Sequence, residues 1–407
     1  MLTPDALRTR VAALLLCGFR PFFLLTALTG VLAVAAWGGF LGGTLALPAV
    51  AGGPLVWHAH EMLFGFTLAS LIGFVVTAIP EFTGTAAVGR RPLVALLALW
   101  LGARLAFAAS ATSGAALLAA VLDAGVLALL VAIVAPRLWR DPDRRHLSFL
   151  WGLLALLGLT VGFHVDALAG QYPMRWLLAT VGVLMILIIV AMSRISMRVV
   201  NGALEEAGVT AVEYLARPPR RNLAIFCIAL YTTAEFVAPQ HAVSGWIALA
   251  AAAGVFNLTN DWHVGRAMFQ RWVLMLYAVY WLMALGYAVI GVAILAEAGP
   301  GAASAGRHLL MIGALGLAVF AVMNIAGRIH AGFALDTRPW VPAAAALLVA
   351  AALLRAAMAW PGVAAQPLLT TATLCWIAAF GLYAARLWPL LTRPRTDGQA
   401  GCAGLAD

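Results

Sequence analysis

The chain holds 407 residues, 64% hydrophobic and only 10% charged, at a mean hydropathy of +0.98. A soluble domain carries about 25% charged residues, so water is excluded as the solvent and the lipid bilayer becomes the first partner. The net charge of +9 rests on arginine alone. Because the arginines are spread over short connections, membrane orientation explains them and a nucleic-acid partner is not implied.

A transmembrane helix needs about 20 mostly apolar residues. About twelve such spans are predicted, at 20–40, 57–79, 92–110, 115–135, 147–168, 174–196, 222–239, 242–259, 272–296, 306–327, 340–359 and 366–387. The seventh and eighth are split only by Pro239, Gln240 and His241; an eleven-span count would move the C-terminus to the other side. The arginines test the map. Twenty of the 25 fall at the two termini or in even-numbered connections, which predicts both termini cytoplasmic. The first span holds Arg20 and no small-residue cleavage site, so it reads as an uncleaved helix. The expected architecture is all-α and polytopic, a single integral membrane domain over 1–407. It carries a cytoplasmic hairpin at 197–221 and a disordered tail at 396–407. Cys17, Cys227, Cys375 and Cys402 form no Cys-x-x-Cys pair and predict neither a disulfide framework nor a zinc site.

Chemistry is concentrated in Trp57-His58-Ala59-His60-Glu61-Met62, at the outer mouth of the second span. Ionisable groups at membrane depth cost several kcal/mol unless paired or ligated, which makes them functional candidates. His58, His60, His164 and His308 all fall at outer span ends. On a helix, residues i and i+2 point to nearly opposite sides. His58 and His60 therefore converge on one metal only if they lie in a loop; the plain alternative is a pair of interfacial histidines. Neutral imidazole ligates haem iron and copper, and the absence of Cys-x-x-Cys-His leaves haem b rather than covalent haem. Arg307 beside His308 suits a propionate and an axial ligand, with a snorkelling Arg and a capping His as the alternative. His330, roughly 33 Å along a continuous helix from His308, belongs to a different site or to the surface. Glu61 reads as an orienting or proton-relay group, and Arg20 as a group at the inner headgroups. Arg104 and Asp123, on neighbouring spans, read as a structural ion pair. A faint internal echo aligns His60 with His308, Gly65 with Gly313, and Thr83-Gly84 with Ala331-Gly332.

Several motifs together resemble the NnrS family of bacterial inner-membrane proteins. They are Gly18-Phe19-Arg20-Pro21-Phe22-Phe23, Trp57-His58-Ala59-His60-Glu61-Met62 with Phe64-Gly65, and Ile79-Pro80-Glu81-Phe82-Thr83-Gly84. His308 with Gly313-Ala314 and Ala321-Val322-Met323 look like the family's tenth span. The family's Gly-His-Thr-Gly-Arg ending is here Ile329-His330-Ala331-Gly332-Phe333, with Arg328 ahead of the histidine. The resemblance implies twelve spans, haem and copper, and a role in denitrification and nitric oxide stress. A looser similarity, to haem–copper oxidases, implies a comparable helix arrangement with His60 and His308 flanking a haem; spans six and seven hold no histidine for the oxidase copper site.

Three readings remain open at this stage. The first is a haem b and copper protein that senses, buffers or reduces nitric oxide, in the last case as a haem-dependent oxidoreductase. The second is a permease for a small solute or metal. The third is an assembly or electron-transfer partner of a denitrification enzyme. In the first, His58, His60, His164, Arg307 and His308 hold cofactor, His58, His60, His308 and His330 are metal ligands, and Glu61 and Arg20 support them.

Overall fold

The computed structural model describes residues 4–142, 144–209, 211–395, 397–399 and 401–402. Among them every regular element is helical. A short helix α1 (Pro4–Leu14) precedes α2 (Phe19–Leu41), α3 (Gly53–Phe82), α4 (Arg90–Ala108), α5 (Ser113–Arg140) and α6 (Leu147–Leu168). Then follow α7 (Met174–Glu206), α8 (Pro218–Val237), α9 (Ala242–Thr259), α10 (Arg271–Leu295), α11 (Gly299–Ile329), α12 (Trp340–Ala357) and α13 (Ala365–Leu391). In lipid every backbone polar group must find its partner inside the segment, which is why each apolar run becomes a continuous helix.

Among the described residues, the helices α2–α7 and α9–α13 are the 11 long and apolar enough to cross a membrane. Helix α8 falls short in apolarity because Arg220, Arg221 and Asn222 open it and Glu235 lies near its end. It is nonetheless 20 residues long, about 30 Å. A tight turn capped by His241, whose Nδ1 accepts from Val243 N–H at 3.3 Å, returns the chain into α9. Each of the twelve predicted spans thus coincides with one of α2–α13.

Two compact units are present. The first is Met1–Leu177 with Val322–Arg338 and Ile377–Asp407; the second is Leu178–Ala321 with Pro339–Trp376. In the first, α2 and α5 pack on α3, α4 on α5, and α5 on α6. The second relies on small residues, which let helices approach closely in lipid. A Cβ on Gly306 would lie 2.6 Å from the Gly286 carbonyl oxygen, and one on Gly291 2.8 Å from that of Gly245.

The expected hairpin at 197–221 is partly helix, since α7 continues to Glu206. Its return is held by Asn201, which accepts from Tyr214 N–H at 2.8 Å and donates to Tyr214 O at 3.2 Å. The tail residues 397–399 and 401–402 are described; 396, 400 and 403–407 of the expected disordered tail lie outside the described residues.

The echo between the second and tenth spans extends to the backbone. His60 and His308 each immediately precede a seven-residue π-helical segment, Glu61–Thr67 in α3 and Leu309–Leu315 in α11. Gly65 and Gly313 sit at the same place within them. Beyond the C-terminal ends of α3 and α11, Gly84 and Gly332 both take positive φ, 60° and 86°. Such π segments recur at functional sites.

Candidate metal centre

The site starts from the π segment. Widening the helix there takes backbone carbonyls out of the usual ladder, and side chains take them up. Thr67 Oγ1 donates to Met62 O at 2.8 Å, and the indole N–H of Trp100 in α4 donates to Phe64 O at 3.0 Å. The Trp100 bond ties α4 to α3, and one turn further along α4 stands Arg104. Gly65 lets the helices close up: a Cβ there would lie 3.0 Å from Thr29 Cγ2 and 3.1 Å from Glu61 Oε2.

Four helices then contribute one buried cluster. Arg104 Nη1 donates to Glu61 Oε1 at 2.7 Å and lies 3.3 Å from His60 Nδ1, while Nη2 donates to Asp123 Oδ1. The other oxygen of Asp123, in α5, is 3.1 Å from His164 Nε2 in α6 and 3.3 Å from His60 Nε2. His60 and Asp123 are fully buried. The His60 ring stacks on Phe107 at 3.5 Å between centroids and is flanked by Phe64 and Phe163. Phe163 also meets His164 edge-on at 4.9 Å.

His60 Nε2 lies close to Asp123 yet off hydrogen-bonding geometry, and it has no hydrogen-bond partner. Its other nitrogen is 3.3 Å from Glu61 Oε1. Assigning the proton to Nδ1, where it is donated to Glu61, leaves an Nε2 lone pair aimed into the cluster; carboxylates commonly orient metal-ligating histidines this way. His60 Nε2, an Asp123 oxygen and a His164 nitrogen all lie within 4.8 Å of one another. Bonds of about 2.0–2.2 Å to a tetrahedral ion separate neighbouring donors by about 3.4 Å, close to the two short edges here. Charge points the same way. With neutral imidazoles, Arg104, Glu61 and Asp123 leave one net negative charge among aromatic rings. An uncompensated buried charge is expensive, and a cation between the imidazoles and Asp123 would balance it. Two nitrogens and an oxygen suit copper or zinc.

The NnrS protein family profile matches residues 13–395, nearly the whole chain. The chain belongs to the NnrS family. No curated protein matches it.

Of the residues singled out from the sequence, His60, His164 and Glu61 meet in this cluster; His58 does not. As helical spacing requires, His58 turns to the other side of α3 and stacks on Trp37 of α2 at 4.4 Å. The Arg104–Asp123 ion pair is present, but Asp123 also faces two imidazoles, which sequence reasoning did not anticipate. The available signal was an aspartate in an apolar span. Asp166, near His164 in sequence, is engaged by Arg175 at 2.9 Å and by the Trp176 indole at 2.7 Å.

In the second unit Arg307 donates to Glu235 at 2.8 Å, and His308 Nδ1 lies 2.7 Å from Ser304 O. Elsewhere in the first unit, the NnrS-like segments around Arg20, Glu81 and His330 come together. Arg20 is fully buried and donates to main-chain carbonyls, and His330 Nε2 is 3.4 Å from Glu81 Oε2. Here the cysteine expectation needs correction: Cys17 and Cys402 form a disulfide with a Cα–Cα distance of 5.3 Å. A sequence separation of 385 residues hid the pairing from any spacing argument.

Proposed function

We propose that this NnrS-family membrane protein acts in the nitric oxide response of the bacterial inner membrane and holds copper between His60, Asp123 and His164. One observation carries the reading: a buried, unbonded imidazole nitrogen faces a carboxylate and a second imidazole inside an apolar bundle. Copper bound there would supply a redox-active ion to which nitric oxide can coordinate. The chain's own residues do the rest. Glu61 and Arg104 fix the His60 ring and its proton, Asp123 supplies charge and a ligand oxygen, and Phe107, Phe64 and Phe163 exclude water. An apolar gas partitions into the bilayer and reaches such a site from the side, so no aqueous channel is required. The arginine distribution supports twelve crossings with both termini in the cytoplasm.

For haem b, the residue that fits is His308. The contact of its Nδ1 with Ser304 O at 2.7 Å fixes the imidazole tautomer with the proton on Nδ1, the form in which Nε2 is the ligating nitrogen. His60, by contrast, has its coordinating edge against Asp123 and among phenyl rings, with ligand atoms grouped within 4.8 Å as for a single ion. A permease reading is less favoured, because the intramembrane charges that would serve it are spent on each other, Arg104 on Asp123 and Arg307 on Glu235.

Metal analysis and an optical spectrum of the purified protein test the proposal. Copper retained by the wild type and lost from both His60→Ala and His164→Ala is expected, with the haem spectrum reduced by His308→Ala. Protein from copper- and haem-replete cells that carries neither would reject it. Co-purification would identify an electron-transfer or denitrification partner.

A further inference from the structure

The inner end of the first unit carries chemistry that the metal proposal does not use. The disulfide between Cys17 and Cys402 fastens the C-terminal tail to the start of the first crossing helix. Other contacts seat the tail around it. Arg20 Nη1 donates to Leu391 O at 3.2 Å and to Arg393 O at 2.6 Å. Arg395 donates to His330 O at 2.8 Å and pairs with Asp397. His330 Nδ1 is 2.9 Å from Cys402 O. Asp397 lies over Gly332, where a Cβ would come within 2.7 Å of its carboxyl carbon and where φ is +86°. A residue with a side chain at 332 would be both strained and in the way of the tail.

The two sulfurs are not equivalent. Cys17 is fully buried, whereas Cys402 is partly exposed. Access decides which sulfur of a disulfide is attacked. The Cys17 sulfur lies 3.6 Å from Thr77 Oγ1, and that hydroxyl already donates to Gly73 O at 2.8 Å. Thr77 is therefore ready to accept an S–H from Cys17, so the buried site can hold the reduced thiol.

We propose that Cys17–Cys402 is a reversible thiol–disulfide site for a small thiol of the glutathione class, and that its oxidation state latches or frees the tail over His330. The small thiolate attacks Cys402 Sγ, forming a mixed disulfide there and breaking the bond to Cys17. The bonding pair leaves on Cys17 sulfur, which takes a proton and donates it in a hydrogen bond to Thr77 Oγ1. A second small thiolate attacks the small-molecule sulfur of the mixed disulfide, and Cys402 leaves as thiolate and is protonated. The protein disulfide gains two electrons and two protons, and two small thiols become one small disulfide. Freed of the bridge, Cys402 no longer holds its carbonyl against His330, and the His330–Glu81 pair opens to water. With the inner end placed in the cytoplasm, as proposed above, the bridge lies where disulfides are usually transient and redox-sensing. The exchange chemistry itself does not depend on that orientation.

The test uses the purified full-length chain in detergent, where both faces are accessible and an error in orientation cannot mimic failure. Cys227→Ser and Cys375→Ser remove the background thiols. In oxidised glutathione, mass spectrometry is expected to find a Cys17–Cys402 linked peptide, which reduced glutathione removes by way of an adduct on Cys402. Trypsin is expected to cut after Arg395 about tenfold faster in the reduced protein, since cleavage follows the population of the open tail. Cys402→Ser should be cut at the faster rate in both buffers. Absence of the linked peptide under oxidation, an adduct on Cys17 instead, or equal cleavage in the two buffers would overturn the proposal.

Discussion

Replacing Asp123 by Asn is the sharpest probe of the cluster. Asn preserves the volume and can still accept from Arg104 through Oδ1, but it removes the charge and the oxygen that both imidazoles face at 3.1 and 3.3 Å. Two consequences follow from the geometry. First, the cluster's net charge goes from one negative to zero, so a cation is no longer needed for balance. Losing one of three ligands in this way should lower copper affinity by about a hundredfold, the upper end of what even supporting groups around a metal contribute. Second, breaking a buried ion pair from one side typically destabilises by about 3–5 kcal/mol. Arg104 keeps Glu61 at 2.7 Å, so the lower end of that range is expected. The assay is copper per chain by mass spectrometry of the purified protein, with thermal unfolding in parallel. Asp166→Asn is the control, because that carboxylate is engaged by Arg175 and Trp176 instead. If Asp123→Asn retained wild-type copper and stability, the assignment of Asp123 as shared ligand would be wrong.

Trp100→Phe leaves Phe64 O without its indole donor at 3.0 Å. A loss of about 1–3 kcal/mol, read as a lower melting temperature, is expected; an unchanged melting temperature would mean that the π segment does not depend on α4. Gly65→Ala drives a methyl to 3.0 Å from Thr29 and 3.1 Å from Glu61. Overpacking of this kind costs about 1–3 kcal/mol, and copper should fall with it. Gly114→Ala, which meets nothing within 4 Å, should be neutral, and equal effects of the two would refute the packing argument. Tyr214, in the connection between α7 and α8, has its phenol pushed above the ordinary 10.0 by burial, although its hydroxyl donates to Ser196 Oγ at 3.2 Å. The folded protein therefore holds this proton more tightly than the unfolded chain. That contribution to stability is complete below about pH 10 and is lost as the pH rises beyond it. Tyr214→Phe should flatten the alkaline decline in unfolding temperature; identical slopes in the two proteins would contradict the assignment.

The helices were legible because a helix in lipid satisfies its own backbone, so length and apolarity suffice to place α2–α13 as helices, and even α8, short of the apolarity of a span, stands as a helix where the pattern put it. His60 and His164 were picked out by their place near span ends, and the opposite headings of His58 and His60 follow from 100° per residue. The echo of His60 and Gly65 in His308 and Gly313 was visible as letters, although the π segments behind it were not. What only the tertiary structure decided is which faces meet. Asp123 joins His60 and His164, rather than serving Arg104 alone, because α3, α4, α5 and α6 present these side chains to one another. Arg20 turns to the main chain of the tail, and Cys17 finds Cys402. Helix rotation and contacts between segments hundreds of residues apart depend on how side chains interlock across the bundle, and no local periodicity encodes that.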